Sequence, residues 1–95
     1  MEFKDRIVLI TGAGSGLGRR LALDLAKKGC RFALGDLDDE SLRETVSLLS
    51  VPENEIFFLR TDVTSEDDCR RLVEGTIEKF GKIDQQIRLR MAKGY

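Results

Sequence analysis

The segment Arg6-Ile7-Val8-Leu9-Ile10-Thr11 runs directly into Gly12-Ala13-Gly14-Ser15-Gly16-Leu17-Gly18, and this junction constrains the fold more than any other stretch. A short, unbroken apolar run rich in β-branched residues suits a strand buried on both faces of a parallel sheet. The glycine-rich turn then opens a helix. Leu17, Leu21 and Leu25 recur every four residues with Ala22 and Ala26 beside them, which makes a narrow, close-packing face. Lys27 and Lys28 suit its last turn, and Gly29 a position just past its end.

The alternation continues. Phe32, Ala33 and Leu34 mark a second strand that leads through Gly35 to Asp36, and Asp38, Asp39 and Glu40 supply helix-start chemistry. Leu42, Val46 and Leu49 form a second amphipathic face, and Pro52, the single proline, falls in the loop behind it. Ile56-Phe57-Phe58-Leu59 reads as a third strand. Thr64 and Ser65 are N-cap candidates with Asp67 and Asp68 three residues on, a variant of the capping box. Cys69, Leu72, Val73, Thr76, Ile77 and Phe80 give a strong helical stripe that Gly81 ends. The order β-α-β-α-β-α predicts right-handed crossovers and a parallel sheet. The expected fold is α/β: half of a doubly wound fold, with a parallel sheet of three strands in the order 3-2-1 and three helices.

Ninety-five residues allow one domain with a small core. With 41% apolar and 35% charged residues the chain fits a soluble globular protein, and a net charge of −1 predicts neither a nucleic-acid nor a membrane partner. Charge is unevenly spread. Residues 36–68 hold eleven acids and two bases, a net of −9, which argues against phosphate-backbone binding there. Residues 82–95 hold four bases and one acid, too few for a nucleic-acid patch. Cys30 and Cys69 are far apart, in apolar surroundings and without a C-x-x-C pattern, so they read as buried inert thiols in a reducing, cytoplasmic setting. The first residues show no apolar core of a secretory leader and no apolar run reaches membrane length, so neither is expected, and no cluster predicts a metal site.

The chemistry concentrates in the glycine turn. Such a turn between a buried strand and a helix aims backbone N–H groups at one spot, where the helix start adds partial positive charge and a phosphate can dock. The spacing is G-x-x-x-G-x-G, from Gly12, Gly16 and Gly18; it is not G-x-G-x-x-G, and no G-K-[ST] makes it a P-loop. Taken alone, a flexible structural loop explains it equally. The context favours a nucleotide: Asp36 closes the second strand at about the 20-residue distance expected of a carboxylate on ribose hydroxyls. An ordinary helix-start acid is the alternative for Asp36.

At this point the chain resembles the short-chain dehydrogenase/reductases, over about residues 4–84. Four stretches carry the resemblance in order: TGAGSGLG, the acid in ALGDLD, the Asp-Val pair in RTDVTSEDD, and KFGKID. The resemblance implies a three-layer Rossmann-like half that binds NAD. Gly12, Ser15, Gly16, Leu17 and Gly18 would wrap the pyrophosphate. Asp36 would take the adenosine ribose with Leu37 beside the adenine, and Asp62 and Val63 would contact the adenine ring. The alternative for Asp62, compatible with the first, is a strand-end acid capping the next helix. A 2′-phosphate would be repelled by Asp36, and neither Ser15 nor Leu37 offers a base, so NAD is expected over NADP. Arg19 and Arg20 lie nearby and read as residues of the exposed helix face.

The resemblance also implies what should follow. The family's fourth strand is apolar and ends in Asn-Asn-Ala-Gly, and its catalytic serine and Tyr-x-x-x-Lys come later. Here Gln85 departs from the pattern, the single tyrosine is Tyr95, and histidine is absent. The expectation is a truncated NAD(P)-binding unit over 1–84 and a divergent tail over 85–95. No catalytic residue is assigned, and NAD or an adenine nucleotide should bind weakly through its ADP moiety. Without a fourth strand, Ile7 to Ile10 would form an exposed apolar edge able to pair with another chain, which leaves a non-catalytic nucleotide-binding or interaction fragment as the alternative function. For the tail three readings stay open. Residues 86–91 alternate like a half-buried strand that could cover that edge; Ile83, Ile87 and Met91 equally mark a helix stripe; and a disordered tail is the third reading.

Overall fold

The structure, a computed structural model, describes residues 3–89. Strand β1 (Ile7–Thr11) leads into helix α1 (Gly16–Ala26), then β2 (Arg31–Asp36), α2 (Asp39–Leu49), a single 3-10 turn at Glu53–Glu55, β3 (Ile56–Arg60), α3 (Glu66–Phe80) and β4 (Gln85–Arg88). All strand pairs are parallel and the order is β3-β2-β1-β4.

The alternation of side chains along each strand sorts the core into two layers. Val8, Ile10, Phe32 and Leu34 meet Ala22 of α1 and Leu42 and Leu49 of α2 on one face. Leu9 and Ala33 meet Leu72 of α3 on the other. Gly75 lets α3 lie directly on β3, since a Cβ there would overlap the Phe57 ring. All five residues of β1 are buried, as the apolar run requires. Helices α2 and α3 carry their own caps: Asp38 accepts from the Ser41 N–H at 3.2 Å and Ser65 from the Asp68 N–H at 3.1 Å. Gly81 closes α3 in the left-handed region, its N–H donating to the Ile77 carbonyl at 2.7 Å.

The expectation of a three-stranded sheet truncated before the fourth strand is corrected: the sheet has four strands. Residues Gln85 to Arg88 pair with Val8 to Thr11. Of the three readings left open for this stretch, the strand is the one seen over 85–88. The expectation of β1 as an exposed apolar edge is corrected with it. The physical reason is that β1 offers a row of backbone donors and acceptors that water or a strand must satisfy. The register is fixed at its start by Asp84, whose N–H donates to the Ile7 carbonyl at 2.9 Å while its carboxylate accepts the Ile7 N–H at 2.8 Å. Ile87 then packs on the α1/α2 layer. The expectations for residues 90–95, including Met91 in a helix stripe, lie outside the described residues.

Cys30 is buried, and burial pushes its thiol up from the ordinary value. Cys69, expected to be buried, is only half-buried. Among the described residues no helix is long and apolar enough to cross a membrane.

Candidate functional site

Because the strands are parallel, the C-terminal ends of β1, β2 and β3 share one edge of the sheet, the edge at which open α/β sheets hold ligands. The glycine turn crosses it. Gly12 has φ +71°, and a Cβ there would come within 2.9 Å of the Leu89 carbonyl oxygen, so both conformation and space demand glycine. A Cβ on Gly18 would overlap the Gly12 carbonyl; its absence lets α1 sit directly on the turn. Gly16 looks onto open space, with nothing within 4 Å of where a Cβ would stand.

Ser15 is the N-cap of α1 in an extended conformation, yet its side chain caps nothing, in contrast to Asp38 and Ser65. The opening N–H groups of α1 have no acceptor within the helix and carry the partial positive charge of its start. Gly16 is the first residue of the helix, and nothing stands within 4 Å of where its Cβ would be. This arrangement can accept an anion of phosphate size.

Asp36 lies directly beneath the turn. It is 2% exposed, and its carboxylate accepts the Gly14 N–H at 2.8 Å and the Asp38 N–H at 2.9 Å. Each carboxylate oxygen retains a second lone pair, so further acceptance is chemically open. Arg19 does not lie on the exposed helix face. Its guanidinium turns inward to the Gly14 carbonyl at 2.6 Å, the Ser41 carbonyl at 3.1 Å and Thr45 Oγ1 at 2.8 Å. Arg20 is exposed as expected.

Three large apolar side chains stand open at this edge: Leu17, Leu37 and Val63, at 61%, 43% and 38% exposure. One exposed leucine is ordinary, but these three follow the ends of β1, β2 and β3 and give the polar turn an apolar rim. Beside Val63, Asp62 is engaged locally. Its carboxylate accepts the Thr64 hydroxyl at 2.6 Å and the Thr64 N–H at 2.9 Å, and these two bonds, the hydroxyl first, hold it below the usual carboxylate range. The Asp62 N–H donates to Asp68 at 2.9 Å, which ties this turn to the start of α3.

The expected residues therefore gather in two groups. Gly12, Ser15, Gly16, Leu17, Gly18, Asp36 and Leu37 surround the β1–α1 turn, while Asp62 and Val63 sit one strand further out. Sequence reasoning missed Gly14, Arg19 and Thr45. The glycine at position 14 was a usable signal, because a Cβ there would press on the Asp36 carboxylate and on Ser41. Thr45 gave none, being a polar residue on an otherwise ordinary helix. Among the described residues no cluster of His, Cys, Asp or Glu could hold a metal ion.

Three comparisons bear on this geometry. The family model described as short chain dehydrogenase matches residues 6–88. An uncharacterized oxidoreductase of Listeria monocytogenes is 40% identical over 84 residues, covering 88% of this chain and 34% of the relative; levodione reductase of Leifsonia aquatica is 42% identical over 85 residues, covering 87% and 32%. Among solved structures, a short chain dehydrogenase/reductase from Burkholderia phymatum in complex with NAD superposes with a TM-score of 0.84 at 36% identity, covering 90% of this chain and 31% of that one. The chain spans about a third of the length of the curated relatives it matches.

Proposed function

The chain belongs to the short chain dehydrogenase family, and on that premise we propose that it provides the adenosine-diphosphate side of an NAD(H) site in an alcohol or carbonyl oxidoreductase. The observation that carries this reading is the β1–α1 junction, where uncapped helix N–H groups and an open face at Gly16 lie above a buried acid. Gly12, Ser15, Gly16, Leu17 and Gly18 would hold the pyrophosphate. Asp36 would take the adenosine ribose, Leu37 would flank the adenine, and Asp62 and Val63 would border its ring. The apolar rim fits a flat base, and the donor set fits the phosphates. When bound, the cofactor supplies hydride transfer.

NAD is favoured over NADP. A 2′-phosphate would approach the charge of Asp36, and Arg19, a base beside the turn, is already committed to Gly14, Ser41 and Thr45. We assign no catalytic residue: the chain has no histidine and one tyrosine, Tyr95, so no Tyr-x-x-x-Lys proton donor lies within it. Binding would be weak and governed by the ADP moiety, with residues 1–84 as the nucleotide-binding unit; the family match itself runs on through β4 to residue 88. The free thiols Cys30 and Cys69 favour a reducing, cytoplasmic setting. A second reading, a non-catalytic nucleotide-binding or interaction fragment, is favoured by the outer edge of β4, which pairs with no strand among the described residues.

Calorimetric titration tests the first reading. ADP, ADP-ribose and NAD should bind with affinities within about twofold of one another and NADP about tenfold more weakly, a difference of roughly 1.4 kcal/mol. Asp36→Asn should narrow the gap between NAD and NADP. No binding of ADP at millimolar concentration would reject the nucleotide site, and NAD binding well above ADP-ribose would reject the limit to the ADP side.

A further inference from the structure

We propose that Arg19 and Thr45 are positioning residues of the phosphate-binding turn, which they split into a fixed half, Ala13–Gly14, and a donating half, Ser15–Leu17. This role rests on the nucleotide reading above.

The fixed half follows from an account of its backbone. Ala13 and Gly14 carry two N–H groups and two carbonyls, and the protein engages all four. The Ala13 N–H donates to the Gly35 carbonyl at 3.1 Å, and the Gly14 N–H donates to Asp36 at 2.8 Å. The Ala13 carbonyl accepts the Thr45 hydroxyl at 2.8 Å, and the Gly14 carbonyl accepts Arg19 Nη2 at 2.6 Å. These partners come from β2, α2 and α1, so three elements grip two residues. Ala13 and Thr45 are both 0% exposed, so water cannot replace a lost partner without entering the core.

Thr45 has one hydroxyl proton and two carbonyls within reach, Ala13 at 2.8 Å and Ser41 at 3.3 Å. Ser41 already receives Arg19 Nη2, while Ala13 has the threonine alone among the described residues, so the proton belongs on Ala13. Arg19 Nε donates to the same Thr45 oxygen at 2.8 Å. The result is a relay from Arg19 through Thr45 to Ala13, in which each bond polarises the next. Glu44 pairs with Arg19 at 2.8 Å but is largely exposed, so it contributes little.

A phosphate ligand gains affinity from donors that need no ordering on binding. The clamp supplies that order: the peptide before Ser15 is fixed, and the amides of Ser15, Gly16 and Leu17 project from it. The same clamp withdraws the Arg19 guanidinium from ligand contact.

Thr45→Val removes the hydroxyl and Thr45→Ser keeps it. The Val variant loses both bonds of the hydroxyl and should weaken ADP at least about tenfold, while adenosine, which has no phosphate, changes less than about twofold. The Ser variant should bind ADP like the unsubstituted chain. Arg19→Lys should act like Thr45→Val, because an ammonium cannot reproduce the planar fork. Equal weakening of ADP and adenosine, or unchanged ADP affinity in both Thr45→Val and Arg19→Lys, would overturn the positioning role. Amide hydrogen exchange in the ligand-free chain tests it without a ligand: Thr45→Val should speed exchange at Gly14 while Leu9 and Leu34 keep their protection. An unchanged Gly14, or loss of protection throughout, would reject the clamp. Failure of the unsubstituted chain to bind ADP would instead reject the nucleotide reading, with the exchange result still deciding the clamp.

Discussion

Asp84 ties the start of the edge strand β4 to the central strand β1 through both its backbone and its side chain. Its N–H and carboxylate bracket Ile7, and Lys82 at 3.3 Å and Arg6 at 3.7 Å add positive charge. The Ile7 N–H, and after it Lys82, hold the Asp84 carboxyl below the usual range against the opposing effect of partial burial. The folded value lies below the unfolded one, about 3.9. Its stabilisation is therefore fully present above about pH 4 and is lost as pH falls through the lower folded value. Urea titrations of the unsubstituted chain and Asp84→Asn should differ most near neutrality and converge in acid; a gap independent of pH would contradict this. At this scale the sequence was uneven in what it disclosed. Gly12, Gly16 and Gly18 were legible because glycine spacing reports backbone geometry directly. The inward turn of Arg19 was not, because it depends on where α2 lies relative to α1, and helical periodicity places a residue on a face without saying what that face meets.

Helix starts separate the structural elements from the ligand-facing one. Ser65 caps α3 and should lose about 1 kcal/mol on replacement by alanine. Ser15 occupies the same position on α1 but caps nothing, so Ser15→Ala should leave the ligand-free chain unchanged within about 0.5 kcal/mol. Chemical denaturation of the two variants checks the pair, and an equal loss in both would mean that Ser15 caps after all. The three helices and first three strands were legible because each repeats its period over enough residues to be distinct. Strand β4 was not: Gln85-Gln86-Ile87-Arg88 contains one apolar residue, and what makes it a strand is the edge of β1 rather than its own pattern.

At the scale of the molecule, β4 changes the character of the sheet. It places β1 between two neighbours and keeps its apolar residues at 2% exposure or less. Ile87 is its anchor in the α1/α2 layer. Ile87→Asp would set a charge against that layer, release β4 and open β1 to pairing. Sedimentation should then show a mass that rises with concentration beyond that of the unsubstituted chain; the same mass at every concentration would mean that other contacts hold β4.

The pairing of Val8 with Gln85 has a consequence in time. The first described strand occupies the middle of the sheet, and its second neighbour is the last described strand. During synthesis β1 can pair with β2 early, but its other side must wait until Gln85 to Arg88 have emerged, since Ile7 and Asp84 lie 77 positions apart. Closing so long a loop in a parallel sheet is a slow step. Until it closes, a ribosome-bound chain carries a bare apolar strand edge, so the period of greatest exposure to wrong partners is set by the distance between Ile7 and Asp84 along the chain rather than by the stability of the finished sheet.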